Sequence, residues 1–427
     1  MKVVLIALEG IADRPQEALG GKTPLQSADV PHLDALAKGG ACGQLYAVAP
    51  GVCPSADTAL WHLLGYGALP YPGRAAFEAI GAGISLNDDD VVFLVSLAST
   101  RLEHGERYVQ AAPAHLPADQ VLDIVESLSN YKPEFLYARV HHLDGPFMAL
   151  VLSGDASALV TDSDPLFYTL PIREIVQLEG SPDAARNTAR ELNRFTSWAH
   201  KVLFEHPVNR ARDAEGMTVA DHVIIKWPSV KPHIPTLEER WGFKGVSSGP
   251  GFFSRGLAIA TGMEALDVKT HEAPDGLGPR LESVKEEMYA GRDFALVRSV
   301  VADEASHAGR PRRKAKTVEE LDSALETVVG SLAADPDTLI VVTAAYTTPS
   351  GGSDEVLHSG ESVPLVICGS NVRVDPVAAF DEVSCARGAL GTLLGRDVMP
   401  LVLSLTDRAR FGTSRTVPAD SLFRPTS

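Results

Sequence analysis

The chain has 427 residues, and 38 Lys and Arg against 55 Asp and Glu give it a formal net charge of −17. Its 45% hydrophobic and 22% charged content is typical of a globular protein and excludes a disordered chain. The acidic excess argues against nucleic acid or an anionic membrane surface as a partner, although a few local cations can still bind a small anion. The length predicts two or three folding units, or one large α/β core with an insert.

The compartment is predicted from the cysteines and the N-terminus. Cys42, Cys53, Cys368 and Cys385 lack metal-finger spacing and are predicted to be reduced thiols of a cytoplasmic protein. The segment MKVVLIALEG is followed by no signal cleavage site, so it is predicted to be a first strand. No apolar run reaches the roughly 18 residues that a membrane span needs.

Strands and helices alternate along much of the chain. Amphipathic helices are predicted over Asp183–His206 and from the capping box Thr317–Glu320 onward. Short aliphatic runs predict buried parallel strands at Val3–Leu8, Asp221–Lys226, Phe294–Ala302, Thr338–Ala345, Pro364–Gly369 and Pro400–Leu405. This alternation predicts an α/β core with a mainly parallel sheet flanked by helices.

The middle of the chain has weaker, more polar strands. His104–Arg107, Tyr137–His142 and Ala149–Ser153 are typical of an antiparallel set. We therefore predict a smaller inserted α+β domain over residues 101–180 and a core made of residues 1–100 and 181–427.

Candidate metal ligands follow the predicted strands, where ligands bind in an open parallel sheet. Glu9 follows the first strand, Asp303 and His307 stand one helical turn apart after another, and His358 precedes the strand at Pro364–Gly369. Two histidines and one carboxylate suit Mn²⁺, Zn²⁺ or Fe²⁺. Taken alone, the spacing of Asp303 and His307 is more typical of a solvated helix start than of a metal site.

A second candidate is the loop Pro50–Ala59, which precedes a predicted helix. Ser55 in this loop is a candidate helix cap, but the same geometry can hold an anion or present a nucleophile. Asp57 lies beside it.

The chain resembles the archaeal-type cofactor-independent phosphoglycerate mutases of the alkaline phosphatase superfamily. The resemblance rests on the segments GKTPLQSADVPHLDALAKGG, PGVCPSADTALWHLLGY, YPGRAAFEAIGAGISL, NRFTSWAHKVLFEHPVNR, DEASHAG and LHSGESVP. It implies an alkaline-phosphatase-like core, a serine nucleophile that becomes phosphorylated, and two divalent metals, typically Mn²⁺. One family metal site maps onto Asp303, His307 and His358.

The second site and the nucleophile depart from the family pattern. The family's aspartate after the first strand corresponds to Glu9, and its Asp-His pair corresponds to Ala345 and Tyr346. The position of the nucleophile holds Ala56, which leaves Ser55 as a neighbouring substitute.

The family's substrate-binding pattern is also thinner in this chain. Its paired arginines fall near Val109–His115, its LRG motif reads Ile225-Lys226-Trp227, and a histidine is replaced by Leu166. The remaining candidates for substrate binding are Arg74, His142 and Lys226.

Three hypotheses follow. The first is a repurposed enzyme that uses one divalent metal, Mn²⁺ before Zn²⁺ or Fe²⁺, on a small acidic metabolite in specialised metabolism. Its candidate catalytic residues are Ser55, Asp57, Glu9 and Tyr346. The second is a non-catalytic scaffold with one structural metal. The third is a surviving mutase or phosphatase that uses Ser55. The expected partner is a small-molecule substrate, and homo-oligomer formation is left open.

Overall fold

The computed structural model describes residues 1–167, 169–266, 275–351 and 357–409, and within them thirteen strands form two sheets. The strands, in chain order, are β1 (Lys2–Leu8), β2 (Gly40–Tyr46), β3 (Val91–Glu103), β4 (Glu106–Ala111), β5 (Tyr137–His142), β6 (Phe147–Ser153), β7 (His222–Val230), β8 (Gly245–Ser248), β9 (Glu264–Leu266), β10 (Phe294–Ser299), β11 (Thr338–Thr343), β12 (Val363–Cys368) and β13 (Gly391–Leu394).

Helices connect these strands. They are α1 (Pro24–Ser27), α2 (Pro31–Lys38), α3 (Ala56–Leu63), α4 (Arg74–Gly81), α5 (Ala118–Leu128), α6 (Asp183–Glu205), α7 (Pro207–Ala214), α8 (Leu237–Trp241), α9 (Gly251–Ala260), α10 (Leu277–Tyr289), α11 (Val301–His307), α12 (Pro311–Ala324) and α13 (Gly395–Leu405). Among the described residues, none of the helices combines the length and the apolar character needed to cross a membrane.

The larger sheet has eight strands in the order β13-β2-β12-β11-β1-β10-β8-β9. The central strand β1 is flanked in parallel by β10 and β11, with Leu5 opposite Leu296 on one side and Val341 on the other. Its side chains from Val3 to Leu8 are fully buried, because helices cover both faces of a parallel sheet. The predicted fold class, an α/β core with a mainly parallel sheet, is confirmed.

The smaller sheet is antiparallel and is built on the long strand β3, which pairs with β4, β6 and β7, while β5 pairs with β6. The predicted strand at Asp221–Lys226 therefore belongs to this sheet as part of β7, and its assignment as a parallel strand was wrong. The five strands span residues 91–230, a wider stretch than the 101–180 predicted for the insert.

Three further local predictions were wrong. Pro364–Gly369 corresponds to β12, which runs antiparallel to both of its neighbours. Pro400–Leu405 is the second half of helix α13, since a short apolar run fits a buried strand and a buried helix equally well. Helix α12 begins at Pro311 instead of Thr317, because proline is well suited to the first helical position. The helix predicted over Asp183–His206 is present as α6.

Candidate metal centre and active-site cavity

The candidate site lies where the carboxyl ends of β1, β10 and β11 meet. The register places Leu8 beside Ser299 and Ala7 beside Thr343, so the segments that follow the three strands emerge together. Glu9 follows β1 directly, and Asp303 lies in the first turn of α11 after β10. Tyr346 follows β11 in chain order. The sheet thus gathers residues from three distant parts of the chain at one edge.

Asp303, His307 and His358 form a compact cluster of potential metal ligands. One ligand atom from each residue can be chosen so that all three lie within 4.8 Å of one another. One carboxylate oxygen of Asp303 lies 3.6 Å from Nε2 of His307, and the other lies 3.4 Å from Nε2 of His358. The structure therefore brings together the three metal ligands predicted from the sequence.

Neighbouring groups orient two of these ligands. Nδ1 of His358 lies 3.0 Å from the carbonyl oxygen of Pro54, and an Nδ1–H that donates to this carbonyl leaves Nε2 as the free electron-pair donor. The hydroxyl of Thr348 donates to Asp303 over 2.6 Å. The donor set and its orientation fit a divalent transition metal.

Gly10 allows the chain to pass close to Asp303. It has φ +74°, and a Cβ placed on it would lie 2.6 Å from the Asp303 Cα. A larger residue would therefore be strained in its backbone and would push the metal ligand away.

Glu9 makes close contacts that the sequence did not reveal. Its carboxylate forms a two-pronged ion pair with the Arg298 guanidinium through Nε and through Nη2, the latter at 3.0 Å, and accepts a 2.8 Å hydrogen bond from the Tyr346 hydroxyl. Glu9 is fully buried and Arg298 is 6% exposed. The Tyr346 ring lies 4.2 Å from the His358 ring, so this ion pair adjoins the metal-ligand cluster.

Arg298 is thus a residue that our sequence reasoning missed. A detectable signal exists, since arginine within the otherwise buried run of β10 is rarely tolerated without a charged partner. What the run does not show is which carboxylate that partner is.

The protonation states follow from these contacts. Burial and the charge of Glu9 hold the pKa of Tyr346 well above its usual value, so its hydroxyl is a neutral donor. Burial alone would lower the pKa of Arg298, but the Glu9 carboxylate raises it above its ordinary value. Likewise, burial would raise the pKa of Asp303, yet the neighbouring imidazoles of His307 and His358, when they are protonated, hold it below its ordinary value. The group at Glu9 is therefore an ion pair capped by a phenol.

Lys314 is a second buried cation that sequence reasoning missed. Its ammonium is fully buried and donates to the Ala12 carbonyl at 3.0 Å, the Asp13 carboxylate at 2.9 Å and the Thr348 carbonyl at 2.7 Å. These bonds join the segments that follow β1 and β11. Lys314 holds the Thr348 backbone, and the Thr348 hydroxyl donates to Asp303. Lys314 thereby helps to orient this candidate metal ligand.

A cavity of about 470 Å³ lies between the core and the smaller sheet. On the core side the cavity is lined by Ser55, Asp57, Thr58 and Arg74, and its other wall includes Asp162 and Trp227. The remaining lining residues are Tyr71, Gly73, Val160, Thr161 and Pro228. Ser55 precedes α3 without capping it, and its hydroxyl lies 3.0 Å from that of Thr58. The preceding residue, Pro54, contacts His358, so this loop links the cavity to the metal ligands.

Asp57 and Arg74 lie next to each other in the core-side lining of this cavity. The Tyr71 hydroxyl donates to Asp57, and Arg74 Nη1 lies 3.9 Å from the same carboxylate. Arg74 also donates to Glu78 at 3.1 Å and stacks on the Trp227 ring at 4.3 Å. Together with Ser55, three predicted site residues thus share the cavity, two of them catalytic candidates and one a candidate for substrate binding.

The other two substrate-binding candidates do not line this cavity. Lys226 pairs with Asp164 at 2.9 Å and lies 4.8 Å from the centre of the Trp227 ring. His142, in β5, lies with its Nε2 2.8 Å from the carbonyl oxygen of Gly145. Their assignment to substrate binding stays a prediction.

Several known proteins similar to this chain carry the name of one family. A family model described as 2,3-bisphosphoglycerate-independent phosphoglycerate mutase matches residues 37–209. A protein of that name from Methanopyrus kandleri is 34% identical over 426 residues, which cover 96% of this chain and 98% of the relative. The form named mutase 2 of Methanocaldococcus jannaschii is 32% identical over 418 residues, covering 96% and 94% of the two chains.

Solved structures give the same relationship. A protein from Pyrococcus horikoshii has a TM-score of 0.77 and 27% identity, covering 96% of this chain and 99% of its own. The cofactor-independent phosphoglycerate mutase of Thermoplasma acidophilum has a TM-score of 0.60 and 26% identity, covering 95% and 100%. The chain belongs to the family of 2,3-bisphosphoglycerate-independent phosphoglycerate mutases.

Proposed function

We propose that this chain is a metal-dependent enzyme of the phosphoglycerate mutase-like family that acts on a small acidic metabolite with one divalent metal. The observation that carries the proposal is the pairing of Glu9 with Arg298. In the family pattern Glu9 corresponds to a ligand of the second metal, but here both of its oxygens are engaged by Arg298 and Tyr346. A fixed guanidinium supplies positive charge where that second cation would be needed.

The metal would be held by Asp303, His307 and His358, with Mn²⁺ preferred over Zn²⁺ or Fe²⁺. When bound, such a metal polarises a substrate oxygen or lowers the pKa of a water molecule. His307, whose side chain is 42% exposed, leaves that side of the cluster open to a ligand.

The chain's own residues support binding and orientation of an acid. Arg74 presents the cation of the cavity, and Asp57 is held in place by Tyr71. Ser55 and Thr58 offer hydroxyls to the substrate. Tyr346 stays protonated beside His358 and fixes Glu9, so its role is to position the charged pair.

A second candidate is a surviving phosphoglycerate mutase or phosphatase activity that uses Ser55. The names of the relatives favour it, and so does the position of Ser55 one residue after Pro54, which contacts His358. The alanine at position 56, where the family has its nucleophile, opposes it. A scaffold with one structural metal is the non-catalytic alternative.

Metal content and a direct assay separate these functions. We expect about one Mn²⁺ per chain by elemental analysis, its loss in His358→Ala, and its retention in the control His233→Ala, whose side chain is 66% exposed. We further expect no conversion of 3-phosphoglycerate to 2-phosphoglycerate and no phosphoserine by mass spectrometry.

Two other results would change the conclusion. Mutase turnover that disappears in Ser55→Ala, with a phosphorylated Ser55 in the parent, would establish the second candidate. Two metals per chain would contradict the one-metal proposal. A chain that retains its fold and its cellular role after the metal is lost would be a scaffold.

A further inference from the structure

Trp227 has an unusual backbone conformation for a large side chain. Its φ is +59°, in the left-handed region that glycine adopts most readily. In the resemblance described above, Trp227 takes the place of the glycine of the LRG motif. Strained residues of this kind cluster at ligand sites, so the contacts that hold the indole in place are informative.

Contacts from both parts of the molecule fix Trp227. Its backbone N–H donates to Asp162 at 3.0 Å, and its carbonyl accepts from the Ser229 hydroxyl at 2.7 Å. The indole lies against two cations, with the Arg74 guanidinium 4.3 Å and the Lys226 ammonium 4.8 Å from the ring centroid. Since Arg74 begins helix α4 and Trp227 lies in β7, the ring connects this helix to the smaller sheet beside the cavity.

The adjoining backbones leave little room for this contact to shift. Gly73 has φ +96°, and a Cβ on it would lie 2.3 Å from the Ser229 hydroxyl oxygen. The amide of Val230 also donates to the carbonyl of Pro72 at 2.8 Å. The loop that carries Arg74 is therefore fastened to the strand that carries Trp227.

The charges around the cavity limit what it can bind. Its lining includes two carboxylates, Asp57 and Asp162, and one guanidinium, Arg74. Arg74 already donates to Glu78 and lies 3.9 Å from the Asp57 carboxylate, and one face of its guanidinium is covered by the indole. Because Asp57 and Glu78 already balance the charge of Arg74, every anionic group of a ligand would meet Asp57 and Asp162, so an acid with one carboxylate is less disfavoured than one that also carries a phosphate.

We propose that Trp227 is the specificity-determining residue of this cavity, and that it selects a small hydroxy acid with a single carboxylate over a phosphorylated acid. The indole fills space that a glycine would leave open and packs against the hydrocarbon part of the substrate. The inference rests on the proposed function, because it specifies which acidic metabolite the cavity takes.

The test compares two probes, D-glycerate and 3-phosphoglycerate, by calorimetric titration of the Mn²⁺-loaded protein. We expect the parent to bind D-glycerate more tightly. In Trp227→Gly, which suits the left-handed backbone, the ratio of the two affinities should shift roughly tenfold or more toward 3-phosphoglycerate. Trp227→Phe should keep the parental preference, and Trp198→Phe, which removes an indole remote from this cavity, should do the same.

The proposal is overturned if the parent prefers 3-phosphoglycerate, if it binds neither acid, or if Trp227→Gly leaves the ratio unchanged. The metal content of the same samples distinguishes failure of the one-metal proposal from failure of the proposed role of Trp227. A protein that loads one Mn²⁺ but shows no change in preference retains the one-metal proposal and refutes the role of Trp227.

Discussion

Replacing Arg298 with methionine is expected to destabilise the protein strongly, because it leaves the Glu9 carboxylate without a cation. Glu9 is fully buried and Arg298 is 6% exposed, so water cannot replace the lost partner. Breaking a buried ion pair of this kind costs about 3–5 kcal/mol, a large part of the roughly 5–15 kcal/mol that stabilises a typical protein. The remaining hydrogen bond from Tyr346 does not balance the charge.

A double-mutant cycle in urea tests this reasoning. Glu9→Gln and Arg298→Met are measured singly and together, with the free energy of unfolding followed by circular dichroism. The double variant contains no unpaired charge. We therefore expect its loss of unfolding free energy to be smaller than the sum of the two single losses, by roughly 2 kcal/mol or more. Arg298→Lys retains a cation and provides a single variant if Arg298→Met does not fold.

The control cycle uses Arg14 and Glu361, which form a 2.9 Å ion pair with side chains 46% and 50% exposed. Solvent screening should limit their coupling to below about 1 kcal/mol. Additive losses at Glu9 and Arg298, or a coupling no larger than that of the exposed pair, would refute the account of the buried pair as a tightly coupled unit.

The remaining predictions concern the metal ligands and pH. Asp303→Asn should weaken Mn²⁺ binding at least tenfold by calorimetry, whereas the exposed control Asp88→Asn should leave it unchanged. Gly10→Ala should weaken Mn²⁺ binding and lower the urea concentration at which the protein unfolds. The control Gly20→Ala, with φ +66° but open space around it, should lower only the stability. Equal losses of Mn²⁺ affinity in the two variants would refute the steric argument. Burial lowers the pKa of His222 to about 4, so the folded protein favours the neutral imidazole. The contribution of His222 to the free energy of unfolding should be fully present above about pH 6.5 and should decline toward pH 4, by up to about 3 kcal/mol. His222→Phe should remove this component from urea titrations, and an unchanged pH dependence would contradict it.

The chain keeps the family fold, while several residues at the candidate site differ from the family pattern. The core sheet still brings the segments after β1, β10 and β11 to one edge, which is why Asp303, His307 and His358 remain together. At the same edge an arginine and a tyrosine surround the carboxylate that the family pattern assigns to the second metal. The structure thus places an internal ion pair at the edge of the sheet where the three candidate metal ligands also lie.

The sequence by itself determined the fold class and selected the three candidate metal ligands that the structure brings together. Buried aliphatic runs alternating with amphipathic helices indicate a parallel α/β core, and these local periods do not depend on which strands become neighbours. The one-turn spacing of Asp303 and His307, together with the family resemblance at His358, was enough to select three residues that the structure places in contact. Ala56 and Tyr346 were also visible as departures in the printed sequence.

Only the tertiary structure decided how those departures are compensated. A strand's own pattern shows that Arg298 is buried, but the neighbour that neutralises it is set by the register of β10 against β1. The antiparallel direction of β12 and the place of β7 in the smaller sheet likewise depend on pairing between distant segments. The stacking of Trp227 on Arg74 requires helix α4 to lie against the smaller sheet. Local sequence specifies periodicity and burial, whereas long-range packing selects the partners.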